Sequence, residues 1–251
     1  MRALEVTGLE GIGEVVVGSS IGQIIHDACS RLGLSLDSGD ILVIAQKIVS
    51  KAEGRVTRLS EIVPSARAVE LSVKLDKDPR LLEVILGESR RIIKMGRGVI
   101  IVETHHGFVC ANGGVDLSNV GLDQVARLPQ DPDGSARKIR EEIRELTGVS
   151  PGVIISDSFG RPWRLGTTDV ALGVAGLNPL RDDRGKTDSY GYELRASVEA
   201  IGDELASAAS LMMGKRDRVP VALVRGLTAE RGHGSARELL RPEEQDLFRG
   251  F

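Results

Sequence analysis

Aromatic side chains are scarce in this chain: 3% of 251 residues, with one Trp, two Tyr and four Phe. Its core must therefore be aliphatic, built from Val, Ile, Leu and Ala. Cysteine is rarer still. Cys29 and Cys110 are too few for a disulfide scaffold, and both are expected to be buried and reduced. No charge of one sign dominates. The formal net charge of -3 leaves no broad basic field, which argues against nucleic acid as a partner. The longest apolar runs, such as residues 99–102, are strand-sized and too short to span a bilayer. The N-terminal MRALEVTGLEG has no apolar signal core, so the expected location is the cytoplasm, with no membrane partner.

Several catalytic signatures are missing too. His26, His105, His106 and His233 have no H-x-x-x-H or Cys-paired zinc spacing. Cys110 has no evident catalytic partner in the sequence, which leaves nucleophilic covalent catalysis disfavoured. The G-x-x-G-x-G at 8–13 lacks the strand, GK[ST] and helix of a Walker loop. No G-x-G-x-x-G with a following acidic residue signals a Rossmann dinucleotide site.

What is present centres on GVIISDSFGRPWRLG at 152–166. Residues 153–156 read as a buried strand that ends in Asp157 and Ser158. Gly160, Arg161 and Arg164 then follow in what reads as a loop. Oxygen ligands suit a hard cation, and guanidinium groups suit phosphate. Two other segments share this character, residues 46–51 and 112–119. In them Asp116 supplies a second carboxylate, Asn119 a polar partner, and Lys47 and Lys51 point charges suited to phosphate. A magnesium–nucleotide site needs one or two protein carboxylates, and Asp116 and Asp157 can supply that pair. Each feature also has a plainer reading, as a turn or cap aspartate, a solvated lysine, or an arginine in a loop-holding salt bridge.

The chain in order predicts strands at 4–7 and 14–17. Next comes a helix capped by Ser19 or Ser20 with Ile21, Ile24, Ile25, Ala28 and Leu32 on one face. Residues 41–45 read as a central strand. Helical pattern fills 60–86, with Asp78-Pro79 as a cap. Strands at 92–95, 99–102 and 108–110 form an antiparallel set with a turn at 105–107. Asp131-Pro132 opens a helix over 136–146 that Gly148 stops. A strand at 169–176, a charged loop at 181–192 and one long helix through Leu194, Val198, Ile201, Leu205, Ala208 and Met212 follow. Residues 220–224 form the last strand. The irregular alternation predicts α+β or mixed α/β rather than a doubly wound sheet, with mixed and antiparallel sheets and packed helices; the chain is expected to be a single domain over 1–251, with room for two subdomains.

Several long segments, in order, resemble the coenzyme F420:L-glutamate ligase (F420-0:gamma-glutamyl ligase) family in its stand-alone form. They are GLEGI at 8–12, DSGDILVIAQKIVSKAEGR at 37–55, ANGGVDLSNV at 111–120, LPQDPDGSA at 128–136, GVIISDSFGRPWRLGTTDVALG at 152–173, DSYGYEL at 188–194 and PVALVRG at 220–226. The resemblance implies an intertwined homodimer and a GTP-dependent ligase. Its substrates would be a lactyl-phospho-deazaflavin precursor and L-glutamate, joined through an acyl phosphate, with further gamma-linked glutamates added later. It implies divalent cations, Mg2+ or Mn2+, at up to two positions, and K+ beside them. Position by position, Leu9, Glu10, Gly11, Ile12, Gln46, Lys47, Lys51 and Asn119 fall on nucleotide contacts. Asp116 and Asp157 fall on the first metal's ligands and Ser158 on the second's; Asp116, Asp157 and Lys51 form the catalytic set.

Two departures from the family pattern stand out. MGKRDR at 213–218 replaces a glycine-rich segment with an acidic metal ligand, so Lys215 or Asp217 would take over part of that role. The ending at 239–248 resembles the region before a nitroreductase-like domain, which is expected to be absent. Two other readings use the same residues: a metal-dependent nucleotide-binding regulator and a phosphohydrolase.

Overall fold

The computed structural model describes residues 3–214, 216–227 and 229–248. In chain order the first half holds β1 (Glu5–Gly8), α1 (Ile21–Arg31), β2 (Ile41–Ala45), α2 (Gln46–Ala52), β3 (Val56–Arg58), α3 (Ala66–Leu75), α4 (Pro79–Gly87), β4 (Ser89–Gly96), β5 (Val99–Thr104) and β6 (Val109–Ala111). Then come β7 (Gln124–Ala126), α5 (Pro132–Thr147), β8 (Gly152–Arg161), β9 (Arg164–Ala175), β10 (Arg181–Asp182), β11 (Val198–Glu199), α6 (Ile201–Met213) and β12 (Val221–Arg225). This is a mixed α+β fold with several sheets, as the sequence predicts.

The main sheet runs β1-β12-β2-β8-β9. Only β2 and β8 are parallel; the other neighbours are antiparallel. Its central strands are near-continuous Val, Ile and Leu runs because both faces are covered. Leu42, Ile44, Val153, Ile155, Val221 and Leu223 face α1 and α5. Ile41, Val43, Ile154, Ala222 and Val224 face α6. A second unit is inserted between β2 and β8. There α3 and α4 pack Leu71, Leu82 and Ile85 against Ile100 and Val102 of the β4-β5-β6 sheet. Phe108, Leu128 and Leu172 join the two units.

Local signals set many element ends. Ser20, Ser65, Asp78 and Asp131 each cap a helix with a side-chain oxygen, and Gly148 closes α5 at φ 74°. The helical stretch at 60–86 is two helices, broken at Asp76, which is left-handed. Cys29 and Cys110 are buried and unpaired.

Four expectations need correction. Residues 14–17 form no strand: Val15 alone packs into the core, Val16 and Val17 are exposed, and among the described residues no strand pairs with this segment. The polar stretch after Ser156 is not a loop. It continues β8 and turns at Pro162-Trp163 into β9, forming a long hairpin whose outer half leaves the core. The helix predicted from 194 starts at Ile201, since Val198 and Glu199 pair with β10. Its buried face is Ile201, Leu205, Ala206, Ala209 and Met213, with Met212 exposed. The charged loop at 181–192 contains one strand of that β10-β11 ribbon.

Candidate active site

β2 ends beside its parallel neighbour β8. Ala45 is in register with Ser156, so Gln46 leaves the sheet next to the point where Asp157 carries β8 on into the hairpin. Ligands in open α/β sheets gather outside such carboxyl ends. α2 starts immediately at Gln46 and carries Lys47. Asp116 is delivered from the inserted unit, where it and Ala126 exchange backbone hydrogen bonds of 3.0 and 2.8 Å.

Lys47 joins these pieces. Its Nζ donates to Asp116 Oδ2 at 2.5 Å, to the Ser118 carbonyl at 2.5 Å and to Ser118 Oγ at 2.8 Å. Those three contacts use the ammonium's three donors. Asp116 also accepts the Ser118 N–H and O–H, both at 2.8 Å. Asn119 follows, left-handed at φ 55°.

The two carboxylates are driven apart. Burial pushes Asp116 up, but the Lys47 ammonium and the Ser118 donors outweigh it and hold it below the ordinary range. Burial pushes Asp157 to about 7, against the Ser158 N–H, with the charges of Asp116 and Asp169 adding to the rise. Cys110, under the same site, is raised to about 12 by burial and by the Asp157 charge. A thiol held so high is protonated and unreactive at neutral pH.

Asp169, which lies at the start of a strand predicted without any site role, belongs to this cluster. It sits opposite Ser158 across the hairpin. Ser158 Oγ donates to Asp169 Oδ1 at 2.7 Å and Ser156 Oγ to Oδ2 at 3.2 Å. Counting back from the Arg161–Arg164 pair would place Thr167 opposite Ser158. A bulge at Leu165-Gly166 adds two residues and brings Asp169 there instead. Strand pairing across a tight turn was the available signal, and the bulge hid it.

The remaining expected contacts lie around this centre. Gln46 is 1% exposed; its Oε1 accepts from Ser50 Oγ at 2.7 Å, while its Nε2 has no partner among the described residues. A buried donor left unpaired costs about 1–3 kcal/mol, so an acceptor on a ligand suits it. Lys51 pairs with Glu14 at 2.5 Å, which holds the segment after β1 beside α2. In that segment Leu9 is fully buried and donates to the Val221 carbonyl at 2.8 Å, Ile12 is buried, and Glu10 and Gly11 are exposed. Neither Lys51 nor residues 9–12 make a direct contact with Asp116 or Asp157. Arg161 and Arg164 sit at the exposed hairpin tip, and among the described residues neither pairs with a carboxylate; Arg161 donates only to the Leu165 carbonyl, at 3.4 Å. Lys215 lies outside the described residues, and Asp217 is exposed beyond α6.

The donor set fits a hard cation shared with a ligand. It offers carboxylates and a hydroxyl, all oxygen. Among the described residues no three His, Cys, Asp or Glu side chains converge closely enough to enclose an ion. One or two protein carboxylates completed by phosphate oxygens and water is the pattern Mg2+ adopts with nucleotides.

The model of the F420-0:Gamma-glutamyl ligase family matches residues 11–226. The chain belongs to the F420-0:gamma-glutamyl ligase family. It is 48% identical over 250 residues to the coenzyme F420:L-glutamate ligase of Methanothermobacter thermautotrophicus, covering 98% of this chain and 99% of that protein. It is 49% identical over 215 residues to the protein of the same name from Methanocaldococcus jannaschii, covering 85% and 86%. With that of Methanopyrus kandleri it shares 45% over 237 residues, 92% of each chain. The part matched to the F420-0:gamma-glutamyl ligase family holds Gln46, Lys47, Asp116, Asp157 and Asp169, while Leu9 and Glu10 precede it.

Proposed function

We propose that this protein is a GTP-dependent ligase that joins L-glutamate to the F420-0 precursor and then adds further gamma-linked glutamates. The observation that carries the reading is the Lys47–Asp116–Asp157 cluster where β2 ends beside its parallel neighbour β8, in a chain of this family. The γ-phosphoryl group of GTP is transferred to the precursor carboxylate, giving an acyl phosphate and GDP. The glutamate amine attacks that carbonyl, the C–O bond to phosphate breaks, and an amide and inorganic phosphate result. Positioning and charge neutralisation carry such a transfer.

Asp116 and Asp157 would hold a divalent cation, with Ser158 toward a second, and the metal would neutralise charge on the phosphoryl oxygens. Lys47 serves as the mobile cation of the site, with phosphate replacing its present acceptors. Gln46 Nε2 and Asn119 orient the nucleotide, and Lys51 contributes charge from the end of α2. Residues 9–12 contact the base, with Gly11 at φ 74° allowing close backbone approach. We place K+ beside the divalent ions. The working unit is a homodimer. Trp163 is 84% and Leu165 98% exposed at the hairpin tip, an apolar pair suited to cover by a second copy.

Mass spectrometry after incubation with the deazaflavin precursor, glutamate, GTP and Mn2+ tests the reaction. The expected result is precursor enlarged by one or more glutamate residues, with GDP formed in step. GTP hydrolysis without glutamate incorporation would establish a phosphohydrolase. Tight GTP binding with no turnover would establish a regulator.

A further inference from the structure

The carboxylate of Asp169 lies directly across the β8–β9 hairpin from Ser158 and engages two hydroxyls, Ser158 Oγ at 2.7 Å and Ser156 Oγ at 3.2 Å. Among the described residues no cation pairs with it. Its main chain is fixed independently: the Asp169 carbonyl accepts from Ser207 Oγ of α6 at 2.8 Å, and Ser207 Oγ also meets Thr168 Oγ1 at 2.7 Å. α6 therefore locks the strand that carries this carboxylate. A serine hydroxyl has one hydrogen and two lone pairs. With its hydrogen committed to a carboxylate, Ser158 Oγ presents only lone pairs to its surroundings. A free hydroxyl beside a nucleotide would instead turn its hydrogen toward a phosphate oxygen and offer a poorer ligand to a cation.

We propose that Asp169 is a positioning residue that fixes the Ser158 hydroxyl as an acceptor-only ligand for a divalent cation. The proposal rests on the reading of Ser158 as a cation ligand. Partners that orient a metal's ligands typically influence affinity 10- to 100-fold. Asp169 does this from the opposite strand. Ser156 holds the second carboxylate oxygen and keeps it from rotating toward the ion.

The test counts Mn2+ by electron paramagnetic resonance on the full chain with a non-hydrolysable GTP analogue. Ser158→Ala and Asp169→Ala should each weaken the more weakly held Mn2+ by about 10- to 100-fold and leave the tighter one in place. The double variant should be no worse than Ser158→Ala alone, because both changes act through one oxygen. Asp169→Asn, which keeps one acceptor for Ser158, should recover part of the loss and serves as the comparison if Asp169→Ala does not fold. Unchanged Mn2+ binding in Ser158→Ala would overturn the ligand reading and the proposal with it. Weakened binding in Ser158→Ala but not in either Asp169 variant would overturn the proposal alone. A double variant additively weaker than both singles would make Asp169 a ligand in its own right, which also overturns it.

Discussion

Asp157 is the residue at which stability and function pull in opposite directions. Its carboxyl titrates near 7 in the folded chain, against about 3.9 for an unperturbed aspartate. Between those values the folded state holds a proton that the unfolded chain has released. Stability of the metal-free protein therefore falls as pH rises from about 4 to 7, by on the order of 4 kcal/mol from this group. Asp157→Asn removes the penalty. It should raise the metal-free melting temperature at pH 8, leave it nearly unchanged at pH 4, and abolish metal-dependent turnover. An equal or lower melting temperature at pH 8, read by calorimetry, would refute the desolvation account. Lys47 carries a related prediction. Its ammonium now neutralises Asp116, so Lys47→Ala should tighten Mn2+ binding without nucleotide while weakening GTP binding at least 10-fold. Isothermal titration of each ligand alone separates the two effects.

At the scale of elements, the site depends on how the first turn of α5 docks on β9. A methyl group at Gly173 would stand 2.3 Å from the Pro132 carbonyl oxygen, and that neighbour is backbone. Asp133, in the same turn, accepts from the Val174 N–H at 2.8 Å, the Ala236 N–H at 3.0 Å and Ser235 Oγ at 2.5 Å. It ties the helix, the strand and the C-terminal segment at one point. Gly173→Ala should cost about 2–4 kcal/mol in urea unfolding, since the helix must shift away from the sheet. β9 also carries Asp169, so the surviving folded fraction should bind Mn2+ less well. The hairpin's outer half is different. Trp163 sits in its turn at φ 58°, a conformation that disfavours a large side chain, and its ring meets that of Phe248 with centroids 5.0 Å apart.

For the whole molecule, the inserted unit and the main sheet meet where Asp116, Lys47 and Asp157 gather, and the hairpin projects beyond both. Among the described residues no helix is long and apolar enough to cross a membrane. If the exposed tip is covered by a second copy, light scattering should give twice the chain mass. Trp163→Ser combined with Leu165→Asp should then shift the protein toward one copy. An unchanged mass in that variant would remove the tip from the interface.

The sequence by itself determined the aliphatic core, the buried strands at 41–45 and 153–156, and the capped helices. These follow from local periodicity and from side chains that bond their own backbone. It also marked Asp157 and Lys47, because polar residues that follow apolar strands stand out in a linear reading, and Asp116, because a carboxylate in a glycine-rich polar loop does so too. It misplaced the strand at 14–17, where three consecutive valines favour extended backbone but only Val15 is buried. It read residues 157–161 as loop, because a strand leaving the core loses the hydrophobic pattern that identifies strands. Only the tertiary structure set Lys47 against Asp116, split the two carboxylates' ionisation and brought Asp169 to Ser158. Each of these depends on distance between segments remote in sequence or on the register across a bulged hairpin, and neither is encoded in local periodicity.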